Sequence, residues 1–233
     1  MNIVVEKDRD NLGSIIGQDI IDTAKKLLDN KDIVTLALCG GRSINQVLSY
    51  FRHSRDDAWK NIHIFMVDER LVSINDPQSN YKLSYDSFAK DLVDNNILPK
   101  GNLHPFMVNK DKDDFGASNY KKVLDDYGGM FDIVLLSSGE DGHIAGLYPN
   151  HPALTIKGKE FLILDDSPKP PKDRMTASVE LVAGAIPFLI FMGSSKRDAL
   201  NAFSNPRLGI VDCPAKMVLR MESPKVYTDL TYK

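Results

Sequence analysis

Apolar positions along the chain follow two alternating periods. From about Asp10 to Leu28, residues such as Leu12, Ile16, Ile20, Ala24 and Leu27 recur at steps of three and four, which predicts an amphipathic helix. Asp32–Leu38 (DIVTLAL) is a nearly continuous apolar run, the pattern of a strand covered on both faces of a parallel sheet. The same reading predicts strands at Asn2–Val5, Ile62–Val67, Phe131–Leu136, Phe161–Leu164, Phe188–Phe191 and Met217–Leu219. It predicts helices at Ile44–Arg52, near Tyr81–Leu92, and at Tyr120–Tyr127, Ser178–Gly184 and Ser195–Phe203. Strands alternating with helices imply a single α/β domain over residues 1–233, a three-layer α/β/α sandwich with a mostly parallel central sheet. The Pro-rich segment Ser167–Lys172 interrupts this alternation as a rigid loop, not as a domain boundary.

Composition narrows the function classes. The net charge of -3 gives no basic excess, so nucleic acid is not an expected partner, and an anionic ligand would need a local cluster of cations. No run of about 18 apolar residues occurs, so no membrane-spanning helix is expected. The N-terminus MNIVVEKDRDN does not read as a signal peptide. Cys39 and Cys213 form no disulfide framework and are expected as buried thiols in a cytoplasmic protein. His53, His63, His104 and His151 lack metal-ligand spacing, and there is no HExxH, CxxC, GxGxxG or GxSxG, so no metal, nucleotide or serine nucleophile is expected.

Rossmann-like sheets bind ligands beyond the carboxyl ends of their strands, so the residues just after each strand carry the most information. Four such stretches are polar or glycine-rich. Gly40-Gly41-Arg42-Ser43 and Gly193-Ser194-Ser195-Lys196 each place glycine, hydroxyl and cation at a strand-to-helix junction, where backbone N–H groups can meet a phosphate. The same residues also suit a plain capped turn. Asp68-Glu69-Arg70 follows IHIFMV and reads either as a solvated ion pair or as a base with an anion-binding guanidinium. Gly139-Glu140-Asp141-Gly142-His143 is the sharpest signal. Histidine titrates nearest neutrality and suits general acid–base work, and Asp141 is placed to orient it. His151 nearby is expected at the surface.

Taken in order, these stretches resemble the 6-phosphogluconolactonase family, whose superfamily includes the glucosamine-6-phosphate deaminases. The matching blocks are AWKNIHIFMVDERLV with Ser79-Asn80, FDIVLLSSGEDGHIAGLYPNHPAL, SPKPPKDRMT and FLIFMGSSKRDAL, and together they span nearly the whole chain. The resemblance implies hydrolysis of 6-phospho-D-glucono-1,5-lactone without a cofactor. It implies His143 as catalytic acid/base beside Asp141, with Asp68 and Arg70 lining the pocket. It also implies Ser43, Arg174 and Lys196 as phosphate ligands, with Gly40, Gly41 and Arg42 in the same cradle. In this reading His143 activates water, and Arg70 or backbone N–H groups near Gly142 stabilise the oxyanion.

The chain departs from the family pattern in places. The usual GGSTP is Gly40-Gly41-Arg42-Ser43-Ile44, so Arg42 either joins the phosphate site or turns outward. The usual ASLFP is Ala145-Gly146-Leu147-Tyr148-Pro149, and the glycine pair before the acid is reduced to Ser137-Ser138-Gly139. The deaminase branch is a rival, but it places a glutamate shortly after the histidine, and no carboxylate occurs here between Asp141 and Glu160. A non-catalytic sugar-phosphate-binding protein would keep Arg174 and Lys196 but need neither Asp141 nor His143. A monomer or a small homo-oligomer is expected.

Overall fold

Ten strands run through residues 3–231, the part of the chain that the computed structural model describes. They are β1 (Ile3–Val5), β2 (Val34–Leu38), β3 (Ile62–Met66), β4 (Asp68–Arg70), β5 (Leu103–His104), β6 (Ile133–Ser137), β7 (Phe161–Leu164), β8 (Arg174–Ala177), β9 (Ile186–Phe191) and β10 (Lys225–Thr228). Seven form one sheet in the order β1-β10-β9-β6-β2-β3-β5, and every pairing in it is parallel. All five residues of β2 are buried, as are the first four of β6. Side chains alternate between faces, so both faces of the sheet are covered, as a three-layer sandwich requires.

The helices are α1 (Arg9–Leu28), α2 (Asn45–His53), α3 (Asn80–Ser84), α4 (Lys90–Asp94), α5 (Ala117–Asp125), α6 (Val179–Ala183) and α7 (Arg197–Ser204). The Asp8 side chain caps α1 by accepting from the Asn11 N–H. Between α3 and α4 the residues Tyr85–Ala89 form a π-type turn, so the helix expected near Tyr81–Leu92 is one stretch with a bulge. Trp59, Phe51 and Phe88 pack with ring centroids 5.1 to 5.8 Å apart. They join α2, the turn before β3 and this bulge into one core.

The sequence reading placed most elements within a few residues, although Asn2 of the first strand lies outside the described residues. The expected strand at Met217–Leu219 is wrong. Those residues lie in a 3-10 helix, Pro214–Arg220, whose opening proline presets the first turn. Met217 and Val218 are buried from that helix, which is why so short an apolar run resembled a strand. The true last strand is β10, inserted between β1 and β9. A second sheet of order β4-β8-β7, antiparallel throughout, also went unforeseen.

At the β3–β5 edge, His63 Nδ1 and His104 Nε2 lie 3.0 Å apart, with the two rings stacked. One nitrogen donates and the other accepts, so the accepting ring must be neutral and the contact cannot survive protonation of both. Burial lowers the pKa of His63. Burial, and then the His63 charge, push His104 down to about 4. The unfolded chain therefore binds more protons than the native one between the ordinary histidine value, about 6.5, and about 4. Stability should be full above that window and fall by about 1–2 kcal/mol as pH drops through it. Urea unfolding from pH 7.5 to 4.5 checks this. The slope should shrink in His104→Phe, and an equal slope in both proteins would exclude the pair as its source.

Candidate active site

The four chemistry-bearing stretches of the sequence follow β2, β3, β6 and β9, which are neighbours in the sheet. Parallel strands end at the same edge, so topology alone brings these stretches together. Strand order reverses between β2 and β6, and a cleft of about 550 Å³ opens there. Gly40, Gly41, Arg42, Ser43, Asp68, Arg70, His143, Arg174 and Lys196 all line it, while Asp141 stands behind His143. His151 is not among the lining residues; it pairs with Asp166 at 2.9 Å.

The turn after β6 is built around the histidine. The Gly139 N–H donates to the His143 carbonyl at 2.7 Å, which folds the five residues back on themselves. A Cβ on Gly139 would lie 2.0 Å from His143 Nδ1, so only glycine lets the imidazole seat there. Gly142 has a φ of 87°, a region that favours glycine. His143 Nδ1 and Asp141 Oδ1 are 2.5 Å apart, and the same oxygen accepts from the His143 backbone N–H at 3.1 Å. Burial alone would raise the Asp141 pKa. The bond to His143 and its charge outweigh that and hold the carboxyl at about 2. Asp141 is thus an anion at neutral pH and fixes the proton of the neutral imidazole on Nδ1, leaving Nε2 as the basic nitrogen for a ligand. The Gly142 N–H already donates to the Gly139 carbonyl at 3.2 Å, so it is not available to an oxyanion.

Asp68-Glu69-Arg70 does not form a solvated ion pair. It is strand β4, paired so that Arg70 stands opposite Arg174 and Asp68 opposite Thr176. Alternation sends Asp68 and Arg70 to the cleft and Glu69 to the other face. Both carboxyls are buried, and burial raises both pKa values. For Asp68 the charges of Arg70, Arg174 and His143 oppose that rise. Asp68 Oδ1 and Arg70 Nε are buried with no hydrogen-bond partner among the described residues. Glu69 accepts from the Asn80, Tyr81 and Arg70 N–H groups at 2.7, 2.8 and 2.7 Å and from Ser79 Oγ at 3.0 Å. It ties β4 to the start of α3, a structural role the sequence did not disclose.

The two glycine junctions share one geometry. Gly41 has φ 98° and ψ 161°, Gly193 has φ 100° and ψ 148°, and each leads into a 3-10 turn that runs on into a helix. Arg42 is exposed but lines the cleft. Burial and the Lys169 charge lower the Lys196 pKa, against the pull of Glu140 and Asp141. Two lining cations escaped the sequence reading, Arg9 and Lys169. Arg9 Nε donates to Asp229 at 2.6 Å, and the other oxygen of that carboxylate accepts the Gly193 N–H at 2.8 Å. Arg9 precedes the first long strand in sequence, far from any strand-end motif, so nothing local marked it. Six cations line the cleft, Arg9, Arg42, Arg70, Lys169, Arg174 and Lys196, against the carboxyls of Asp68 and Glu140. That balance suits a dianion. Among the described residues no three His, Cys, Asp or Glu side chains are grouped to hold a metal, and no helix is long and apolar enough to cross a membrane.

Residues 7–228 match the family model described as glucosamine-6-phosphate isomerases/6-phosphogluconolactonase. A 6-phosphogluconolactonase of Borreliella burgdorferi is 31% identical over 204 residues, covering 87% of this chain and 86% of its own. Among solved structures, a 6-phosphogluconolactonase from Thermotoga maritima superposes with a TM-score of 0.80 at 22% identity, covering 97% of this chain and 99% of its own. A monomeric glucosamine-6-phosphate deaminase superposes almost as well, with a TM-score of 0.78 at 21% identity over 98% of this chain and 97% of its own. The fold is thus common to both activities.

Removing the Glu69 carboxylate would strand the N–H groups at the start of α3. Glu69→Ala should cost about 3 kcal/mol, or about 6–12 °C in the midpoint of thermal unfolding for a domain of this size. Calorimetry reads it directly, and a fall below about 2 °C would show that solvent replaces the carboxylate.

Proposed function

The chain belongs to the glucosamine-6-phosphate isomerase/6-phosphogluconolactonase family, and from that premise we propose that it hydrolyses 6-phospho-D-glucono-1,5-lactone to 6-phosphogluconate, a step of the pentose phosphate pathway, with His143 as the acid/base. The observation that carries this reading is the Asp141–His143 pair at the mouth of a cation-lined cleft. A δ-lactone is a cyclic ester. Its hydrolysis needs a base for water, a cation for the developing oxyanion and an acid for the departing ring oxygen.

His143 Nε2 takes a proton from water as the oxygen attacks the lactone carbonyl. Asp141 stabilises the imidazolium through Nδ1. Arg70 lies on the cleft face of β4 with Nε unpartnered among the described residues, and it faces the oxyanion. Collapse of the tetrahedral intermediate breaks the bond to the ring oxygen, which recovers the proton from His143. The phosphate sits at the paired glycine junctions with Ser43 and Lys196, and Arg42 and Arg9 add charge at the rim. Binding there aligns a carbonyl several bonds away. Arg174, opposite Arg70, completes the cationic wall.

The deaminase reading needs a second carboxylate near His143 on the segment that follows it. That segment, from Ile144 to Lys159, contains none. This chain supplies the base and the cations of the proposed site, and the proposal extends to a monomer or a small homo-oligomer. A cytoplasmic setting, with Cys39 and Cys213 as buried thiols, belongs to the same proposal.

The decisive assay generates the lactone in situ and follows its loss against spontaneous hydrolysis, with ammonia release from glucosamine 6-phosphate measured in parallel. Lactone loss should accelerate and ammonia release should not; the reverse would install the deaminase. His143→Ala should lower kcat by about 10²–10⁴-fold with an unchanged unfolding midpoint. Near-normal kcat in that folded variant would remove His143 from the chemistry. Lys196→Ala should raise KM about tenfold or more and lower kcat far less. Because Asp141 stays ionised down to about 2, it should add no ionisation of its own to the pH–rate profile above pH 3 or so.

A further inference from the structure

Tyr148 is the residue at which the fourth position of the family's ASLFP pattern carries a hydroxyl instead of a plain phenyl ring. A tight turn places it. The Leu147 N–H donates to the Ile144 carbonyl at 2.9 Å, and this folds Tyr148 back toward the histidine. Its ring centroid lies 4.8 Å from that of His143, and the side chain is buried while still lining the cleft.

The hydroxyl points away from the chemistry, into the loop 167–172. Tyr148 Oη and Ser167 Oγ are 2.8 Å apart. Ser167 Oγ has one proton, and it goes to the Lys169 carbonyl at 3.0 Å. The Tyr148 hydroxyl must therefore be the donor to Ser167. Ser167 Oγ also accepts the Lys169 N–H at 3.3 Å, so its capacity is used in full. The Lys169 carbonyl accepts in turn from the Arg174 guanidinium at 3.3 Å, and the Pro171 carbonyl accepts from Arg174 Nε at 2.9 Å. A continuous chain of contacts thus runs from the His143 ring through Tyr148 and Ser167 to the loop that carries Lys169 and braces Arg174.

We propose that the Tyr148 hydroxyl is a latch that fixes the 167–172 loop, and with it the Lys169 and Arg174 charges, over the bound sugar phosphate. Tyr148 is a positioning residue that sets affinity for the anionic substrate and leaves proton transfer to His143. The proposal rests on the lactonase reading for its kinetic consequences and on the geometry alone for its effect on the loop.

Tyr148→Phe keeps the ring against His143 and deletes only the donor. In the full-length protein it should raise KM for the lactone, and Kd for 6-phosphogluconate, about tenfold, with kcat and its pH profile within about twofold of the parent. Ser167→Ala should do the same, and the double variant should be no worse than either single one, because both cut one chain. Hydrogen exchange at the amides of residues 166–174 should quicken in both variants. Unchanged KM, Kd and exchange would overturn the latch. So would a shifted pH profile with lowered kcat, which would put the hydroxyl in the chemistry. If the parent protein fails to hydrolyse the lactone, the lactonase reading falls while the exchange measurement still decides the latch.

Discussion

Everything at the cleft depends on four strands, β9, β6, β2 and β3, being hydrogen-bonded side by side and all parallel. Their carboxyl ends then share one edge, and the residues that follow them have nowhere to go but a common space. The strands contribute almost nothing but apolar surface, and their burial on both faces fixes register. A one-residue slip of β6 would change where the Gly139–His143 turn begins relative to Gly40 on β2. The precision of the site is therefore a property of core packing, supplied by residues that never meet a ligand.

The second constraint is alternation within Asp68-Glu69-Arg70. Three consecutive charged residues cannot share one face of a strand, so β4 divides them. Asp68 and Arg70 meet Arg174 across the small sheet, where two guanidiniums stand opposite each other. Burial presses most on the Arg174 charge, and the like charge of Arg70 directly opposite adds to that pressure. The buried Asp68 carboxyl offsets part of it, and an arriving anion offsets more. Glu69, on the far face, is held by three backbone N–H groups and a hydroxyl. The same triplet thus builds the site with two residues and anchors it with the third.

The parts of the fold that were legible in the sequence are those set by local pattern. α1 and the buried strands β2, β3, β6 and β9 announce themselves by period and by continuous apolar runs. β10 did not, because KVYT is only four residues long and sits between Pro224 and Asp229, and the apolar Met217–Leu219 nearby was the stronger lure. β4 and β8 were hidden for a different reason. They pair with each other across more than a hundred residues of sequence, and antiparallel pairing at that range leaves no local mark. At the site, His143, Asp141 and the two glycine junctions were visible because each is a strand-end motif. Arg9 and Lys169 were not, since only the tertiary structure brings the start of α1 and the 167–172 loop to the cleft.

A net charge of -3 would not suggest an anion-binding protein. The explanation lies in distribution. Acidic residues lie along the outer surface in short-range pairs with lysines, such as Lys82 with Asp86, Lys90 with Asp94 and Lys121 with Asp125. Such pairs in solvent contribute little to stability. The cleft concentrates six cations against two carboxyls, and low-dielectric walls make each of those charges count for more than one at the surface. The cations are also restrained. Arg9 is tied to Asp229, Arg174 to the Pro171 and Lys169 carbonyls, and Arg70 to the Gln78 carbonyl. Guanidiniums braced in this way lose little further freedom when an anion binds, so more of the electrostatic attraction reaches the ligand as affinity and orientation. A phosphate seated in that frame directs the far end of the molecule to the one basic nitrogen that Asp141 leaves facing the cleft.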